Sequence, residues 1–155
     1  MASAEQLLIW AKEVLDNKGY NYGVEDDEPT ILSGMNLDNK LNSTNIRIFC
    51  RDGHIAIYAF VKIYADEGCR SNVAEYITRA NYGLTFGNFE MDLSDGEVRY
   101  KMVLDADTME SLPESVFMRA FYIPIHMLEK YGDGLLAVMF GMKSPEEAID
   151  EAEAE

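Results

Sequence analysis

Four groupings of residues in this chain of 155 residues are of types that could do chemistry. Gly132-Asp133-Gly134-Leu135-Leu136-Ala137 has the spacing of a GxGxxA phosphate loop. Such a loop works when a strand feeds a helix whose first amide groups aim at a pyrophosphate. A helical apolar pattern precedes Gly132, so these glycines read as a break between helices. Asp92, Asp95 and Glu97 surround Gly96 as calcium ligands would. An EF-hand loop with Gly96 in its fixed place would set Met91 and Leu93 where carboxylates belong, and would need flanking helices. His54 and His126 have no adjacent Ser, Cys or Asp to suggest a triad. Cys50 and Cys69 form no CxxC pair, and with only two His they make no zinc set. No metal, cofactor or catalytic residue is expected.

The charge balance narrows the partners. Lys and Arg total 13 against 28 Asp and Glu, a formal net charge of -15. Affinity for nucleic acid rests on cations that neutralise phosphates, so no nucleic-acid partner is expected. An anionic membrane surface is disfavoured for the same reason. Acidic balance suits solubility and basic partners. Glu5 lies where a signal peptide would carry Lys or Arg, and the run Leu135 to Phe140 is far short of the ~20 residues a membrane span needs. The expectation is a cytoplasmic protein with no membrane partner, in one domain over 1–155 whose acidic end, 150–155, frays.

The elements that must position any site follow from periodicity. Ser3 and Gln6 read as a capping box ahead of Leu7, Leu8, Ala11, Val14 and Leu15 at helical spacing, closed by Gly19. Tyr20 to Pro29 is a loop with the acidic run Glu25 to Glu28. Ile31 to Leu37 is an edge strand. Asn45–Arg51 and His54–Tyr64 flank Asp52-Gly53, a strong hairpin signal. A two-residue turn sets Cys50 against Ile55, Ile48 against Ile57 and Ile46 against Ala59, on a core face continued by Val61 and Ile63. The opposite face carries Phe49, Arg47, Tyr58 and Phe60, more aromatic than a solvated face requires.

Ser71 opens a second helix with Val73, Ala74, Ile77 and Ala80 inward and Gly83 at its end. A second hairpin turns at Asp95-Gly96. The expected register pairs Leu93 with Val98, Met91 with Tyr100 and Phe89 with Met102, and Asp92 with Arg99 and Glu90 with Lys101 outside. Ser111-Leu112-Pro113-Glu114 caps a long helical stretch that Pro124 should kink or interrupt and that the glycines at 132 and 134 can break again. Ser144 caps a last short helix. Met118, Met127, Met139 and Met142 read as core filler. The order is helix, three strands, helix, two strands, helix: an α+β fold with an antiparallel sheet packed with helices.

Arg79-Ala80-Asn81-Tyr82-Gly83-Leu84, Gly87-Asn88-Phe89-Glu90-Met91-Asp92 and Asp95-Gly96-Glu97-Val98-Arg99-Tyr100-Lys101 together resemble the pattern of the YbjN family. The likeness spans roughly 30–150. Glu129-Lys130-Tyr131 departs from it, where the family more often shows an Asp-Arg-Tyr type triplet. The resemblance implies a type III secretion chaperone-like fold. Those chaperones are small, acidic, cytoplasmic dimers that hold extended client segments, whereas the YbjN label, sensory transduction regulator, names no mechanism. Fold likeness does not carry function. Locally, Asn81 and Gly83 would end a helix, Gly87 would turn the chain, and Glu90, Arg99 and Lys101 would form the charged outside of the hairpin.

Two functions follow as expectations. The first is a non-enzymatic, chaperone-like protein-binding or regulatory homodimer that meets a polypeptide through an apolar sheet or helix surface. Its contact residues would be Phe49, Tyr58, Phe60 and Arg47. The alternative is a small-ligand sensor or enzyme with a pocket between sheet and helices, built from His126, Glu90, Arg99 and Tyr100.

Overall fold

The computed structural model describes residues 1–25 and 27–154. Its elements run α1 (Ala4–Lys18), β1 (Gly23–Glu25), β2 (Thr30–Asn36), β3 (Ser43–Arg51), β4 (His54–Phe60), α2 (Arg70–Asn81), β5 (Asn88–Met91), β6 (Val98–Asp105), α3 (Glu114–Met139) and α4 (Pro145–Glu153). Six strands form one sheet in the order β1-β2-β3-β4-β6-β5, every neighbouring pair antiparallel. The fold is α+β, as expected, but the strand order needs a correction. A short strand, β1, arises inside the segment read as a loop and pairs Gly23–Glu25 with Leu32–Thr30. That makes β1 the outer strand and leaves β2 an edge only beyond Leu32. Three residues of β1 are too few to show period-two alternation. Asp26, part of the acidic run, lies outside the described residues.

The helices pack on one face of the sheet. Ile31, Ile46, Ile48, Cys50, Ile55, Ile57 and Tyr100 from the strands meet Leu7 and Leu15 of α1, Tyr76 of α2 and Phe117, Phe121 and Tyr131 of α3 in one buried cluster. Burial of such apolar surface is the main term holding the layers together, at about 25 cal/mol per Å². Ser3 Oγ accepts the Gln6 N–H at 3.1 Å and Ser144 Oγ the Glu147 N–H at 3.1 Å, so the expected caps of α1 and α4 form. α4 runs to Glu153, where Tyr131 Oη donates to the Glu153 carboxylate at 2.8 Å. Among the described residues no helix is long and apolar enough to cross a membrane.

The first hairpin has the expected register: Cys50 opposite Ile55, Ile48 opposite Ile57, Ile46 opposite Ala59. Its core face ends earlier than expected. β4 stops at Phe60, Ile63 is exposed, and Ala65 takes the next buried position, with its N–H donating to Gly96 O at 2.8 Å. The second hairpin differs from the expectation by two residues. Phe89 faces Tyr100, Glu90 faces Arg99 and Met91 faces Val98. A shift of two keeps each side chain on its own face. Asp92 is drawn into the loop instead of a pair: its carboxylate accepts from Ser94 N at 2.8 Å, and the Gly96 N–H donates to Asp92 O at 2.7 Å.

α2 starts at Arg70 without a side-chain cap, and Tyr76 joins its buried stripe while Ala74 is only half-buried. Helix α3 corrects three further expectations. It runs unbroken for 26 residues, Pro113 and not Ser111 stands at its N-cap, and Pro124 sits inside it. An interior proline costs about 3 kcal/mol. Phe121 before it and Ile125 and Leu128 after it are all buried, so packing on both sides holds the helix together across the proline. The glycines at 132 and 134 are contact points rather than breaks. A Cβ at Gly132 would lie 2.5 Å from Leu41 Cδ1, and one at Gly134 would collide with Tyr76 Oη. Tyr76 Oη donates to Tyr131 O at 2.7 Å, tying α2 to α3 at that crossing.

Candidate functional site

The face of the sheet away from the helices carries the four residues singled out from sequence. Alternation along β3 and β4 puts them there, and the register brings them together: Arg47 lies opposite Tyr58, and Tyr58 opposite Lys101 of β6. Phe49 and Tyr58 meet edge to face with ring centroids 5.5 Å apart, and Phe60 follows at 6.1 Å from Tyr58. The three rings are half-buried and Arg47 is exposed. Among the described residues no helix covers them.

Cations sit on these rings. Arg99 lies 4.2 Å from the Tyr58 centroid, and Arg51 5.1 Å from that of Phe49. Each such contact is worth about 0.5–1 kcal/mol where exposed. Carboxylates neutralise them. Arg47 pairs with Glu25 at 3.8 Å and Arg51 with Glu28 at 3.1 Å. Glu90 binds Arg99 at 2.7 Å and Lys101 at 3.0 Å. Burial works against the Glu90 carboxylate, but the hydrogen bonds from Lys101 and Arg99 outweigh it and hold its pKa below the usual range. A shallow concavity of about 660 Å³ opens beside the rings, between Phe60, Arg47, Lys62, Tyr64 and Glu97. Tyr64 Oη donates to Glu97 at 2.7 Å at its rim.

Sequence reasoning missed Val103, which stands across Ala56 on this face and is 49% exposed. Its place follows from alternation with Arg99 and Lys101, a signal that was present in β6. It also missed Lys62 and Tyr64, which belong to this rim because the chain leaves the sheet after Phe60.

The alternative constellation is not assembled. Glu90 and Arg99 share the open face, but Tyr100 points into the core, fully buried, and donates to the Phe86 carbonyl. Burial pushes its phenol up to about 12. His126 is on α3, in the helical layer, with its side chain 67% exposed and Nδ1 3.8 Å from Glu129. Glu90 and Arg99 line a small cavity on the open face, and neither Tyr100 nor His126 lines it. Cys50 is buried, and its thiol is pushed up to about 12, which makes it inert as a nucleophile. Among the described residues no group of three or more His, Cys, Asp or Glu side chains could hold a metal ion.

The motif residues have structural tasks. Asn81 Oδ1 accepts the Phe89 N–H at 2.7 Å while its Nδ2 donates to Phe89 O at 2.9 Å, so one amide clamps β5 to the end of α2. Gly87 has φ +75°, and a Cβ there would lie 2.7 Å from Tyr100 Cε1. Among solved structures the chain is similar to YbjN from E. coli, described as a putative transcription regulator, with TM-score 0.57 and 10% identity over 84% of this chain and 87% of that one. The chain has a YbjN-like fold. No protein-family model and no curated protein matches the sequence. The YbjN likeness is therefore one of architecture: four helices against a six-stranded antiparallel sheet.

Proposed function

We propose that this chain is a non-enzymatic regulatory or chaperone-like module, cytoplasmic and homodimeric, that binds a polypeptide partner on the open face of its sheet. The contact residues are Phe49, Tyr58, Phe60 and Arg47. One observation carries the reading: a contiguous row of half-buried aromatics, overlaid by arginines, stands on a sheet face that no helix covers among the described residues. Aromatic residues and Arg are the types enriched at protein interfaces and at their energetic centres. Internal pairing of Arg47, Arg51, Arg99 and Lys101 with carboxylates leaves little charge for phosphates, which favours a polypeptide over a nucleic acid. The YbjN neighbour, described as a regulator and not as an enzyme, agrees with the non-catalytic part. The dimer and the compartment rest on the chaperone-like resemblance.

A photo-crosslinking residue at position 58 or 60 tests it in the cells of origin. A defined protein adduct is expected from those positions and not from Ile9 on α1. Phe49→Asp should abolish the adduct without altering the circular dichroism spectrum. Equal labelling from Ile9, or no adduct from the sheet, would remove the reading. Sedimentation velocity gives the mass; a monomer at micromolar concentration overturns the dimer.

A further inference from the structure

A second apolar surface lies on the opposite side of the molecule, between the last turns of α3 and α4. Leu136, Ala137 and Phe140 form one wall, Ala148 and Ala152 the other, and Met142 closes the end. The cleft holds about 410 Å³ and opens to solvent. Phe140 is 66% exposed and Met142 74%, so the methionine read as core filler is instead one of the most exposed apolar side chains. The rim is basic in a chain of net charge -15: Lys40, Lys130 and Lys143. Of the two acids at the rim, Glu151 pairs with Lys143, and Asp133 keeps its charge while accepting the Lys40 backbone N–H at 2.9 Å, so the three lysines exceed the two acids by one charge. Among the described residues neither the Lys40 nor the Lys130 ammonium pairs with a carboxylate.

We propose that this cleft binds an acidic amphipathic helix of another protein, its apolar stripe on Phe140, Leu136 and Met142 and its carboxylates on Lys40 and Lys130. The argument is charge complementarity joined to shape. A trough between two helices accepts side chains spaced at i, i+3, i+4 and i+7, the anchors of helix-in-groove recognition. An apolar cavity of about 150 Å³ holds one benzene-sized group, so 410 Å³ takes about two or three side chains of a partner helix. The two lysines set the sign of the partner and its orientation. The sheet face carries no part of this inference, and its rings lie across the molecule from it.

The test uses the full chain and a fluorescent helical peptide of about four turns, with Leu at i, i+3, i+4 and i+7 and Glu elsewhere. A matched peptide with Lys for Glu and one with scrambled Leu positions serve as comparisons. The acidic peptide should bind, and the basic and scrambled ones should bind at least about tenfold more weakly. Lys40→Glu with Lys130→Glu should weaken the acidic peptide by about tenfold or more, and added salt should do the same to the wild-type protein. Phe140→Asp should abolish binding; its exposure lets the variant fold, which circular dichroism verifies. Phe60→Asp on the sheet face should leave peptide binding unchanged, so the two surfaces fail separately. Several results overturn the proposal: equal binding of the three peptides, no binding of the acidic one, or no effect of the lysine reversals. An oligomer dissolved by Phe140→Asp would make a second copy the occupant. Oleate shifting the amide resonances of 136–142 where the peptide does not would make it a lipid. Either result also overturns the proposal.

Discussion

The two hairpins share a turn dipeptide and differ in everything the turn was meant to fix. Asp52-Gly53 closes β3 and β4 tightly, with Arg51 opposite His54 and Gly53 at φ +82°. Asp95-Gly96 lies inside a longer loop, with pairing that begins only at Met91 and Val98 and Gly96 at φ +84°. The neighbourhood of each glycine explains the difference. A Cβ at Gly53 would meet only the ends of flexible side chains, Asp107 Oδ1 and Met1 Sδ, each at 3.2 Å. A Cβ at Gly96 would run into the Ala65 carbonyl, a backbone group that cannot turn aside. The Ala65 N–H donates to Gly96 O at 2.8 Å, so the loop is fastened to the segment after β4. Gly53 also has distant backbone partners, its N–H donating to Ala2 O at 2.9 Å and its carbonyl accepting from the Ala106 N–H at 2.8 Å, so what sets the two turns apart is the close approach of the Ala65 backbone to Gly96.

That contrast can be broken most directly at Gly96. Gly96→Ala should cost roughly 2–4 kcal/mol, from the left-handed backbone and the carbonyl clash together. Urea unfolding measures it; a loss below about 1 kcal/mol would mean that the Ala65 contact does not hold the loop. Gly53→Ala should cost less, about 1–2 kcal/mol, because only the backbone conformation is strained. If the two variants lose equal stability, the distinction between the turns fails.

Glu90→Gln comes next, at about 1 kcal/mol, because it removes the carboxylate shared by Arg99 and Lys101. This contribution depends on pH. The folded pKa lies below the ordinary glutamate value of 4.5, so the contribution is complete above that value and is lost as pH falls through the lower folded one. The stability gap between wild type and Glu90→Gln should therefore close on acidification. A gap that widens in acid would contradict the pairing. Leu93→Asp is the smallest, within about 0.5 kcal/mol, since Leu93 is 68% exposed in the loop. Had it paired with Val98, the substitution would bury a charge in the core and cost several times more.

The candidate site was largely legible and its surroundings were not. Phe49, Tyr58, Phe60 and Arg47 lie together because period-two alternation and the Asp52-Gly53 turn are both local signals. Val103 and Lys101 complete the face through β6, which pairs with β4 across an intervening helix. No local window contains that pairing. The basic cleft between α3 and α4 left still less trace, since Lys40 comes from the β2–β3 connection and Lys143 from the far end of the chain.

The strands other than β1, the helices, their inward faces and the first hairpin are written in apolar spacing and caps, because those depend on residues a few positions apart. The six-stranded order, the second register and the continuity of α3 through Pro124 and two glycines are not. They depend on Gly96 against Ala65, Gly134 against Tyr76 and Gly132 against Leu41, contacts between residues tens of positions apart that exist only once the layers have closed. Local preferences of about 1–3 kcal/mol for a break at glycine or proline are then overruled by the packing on either side.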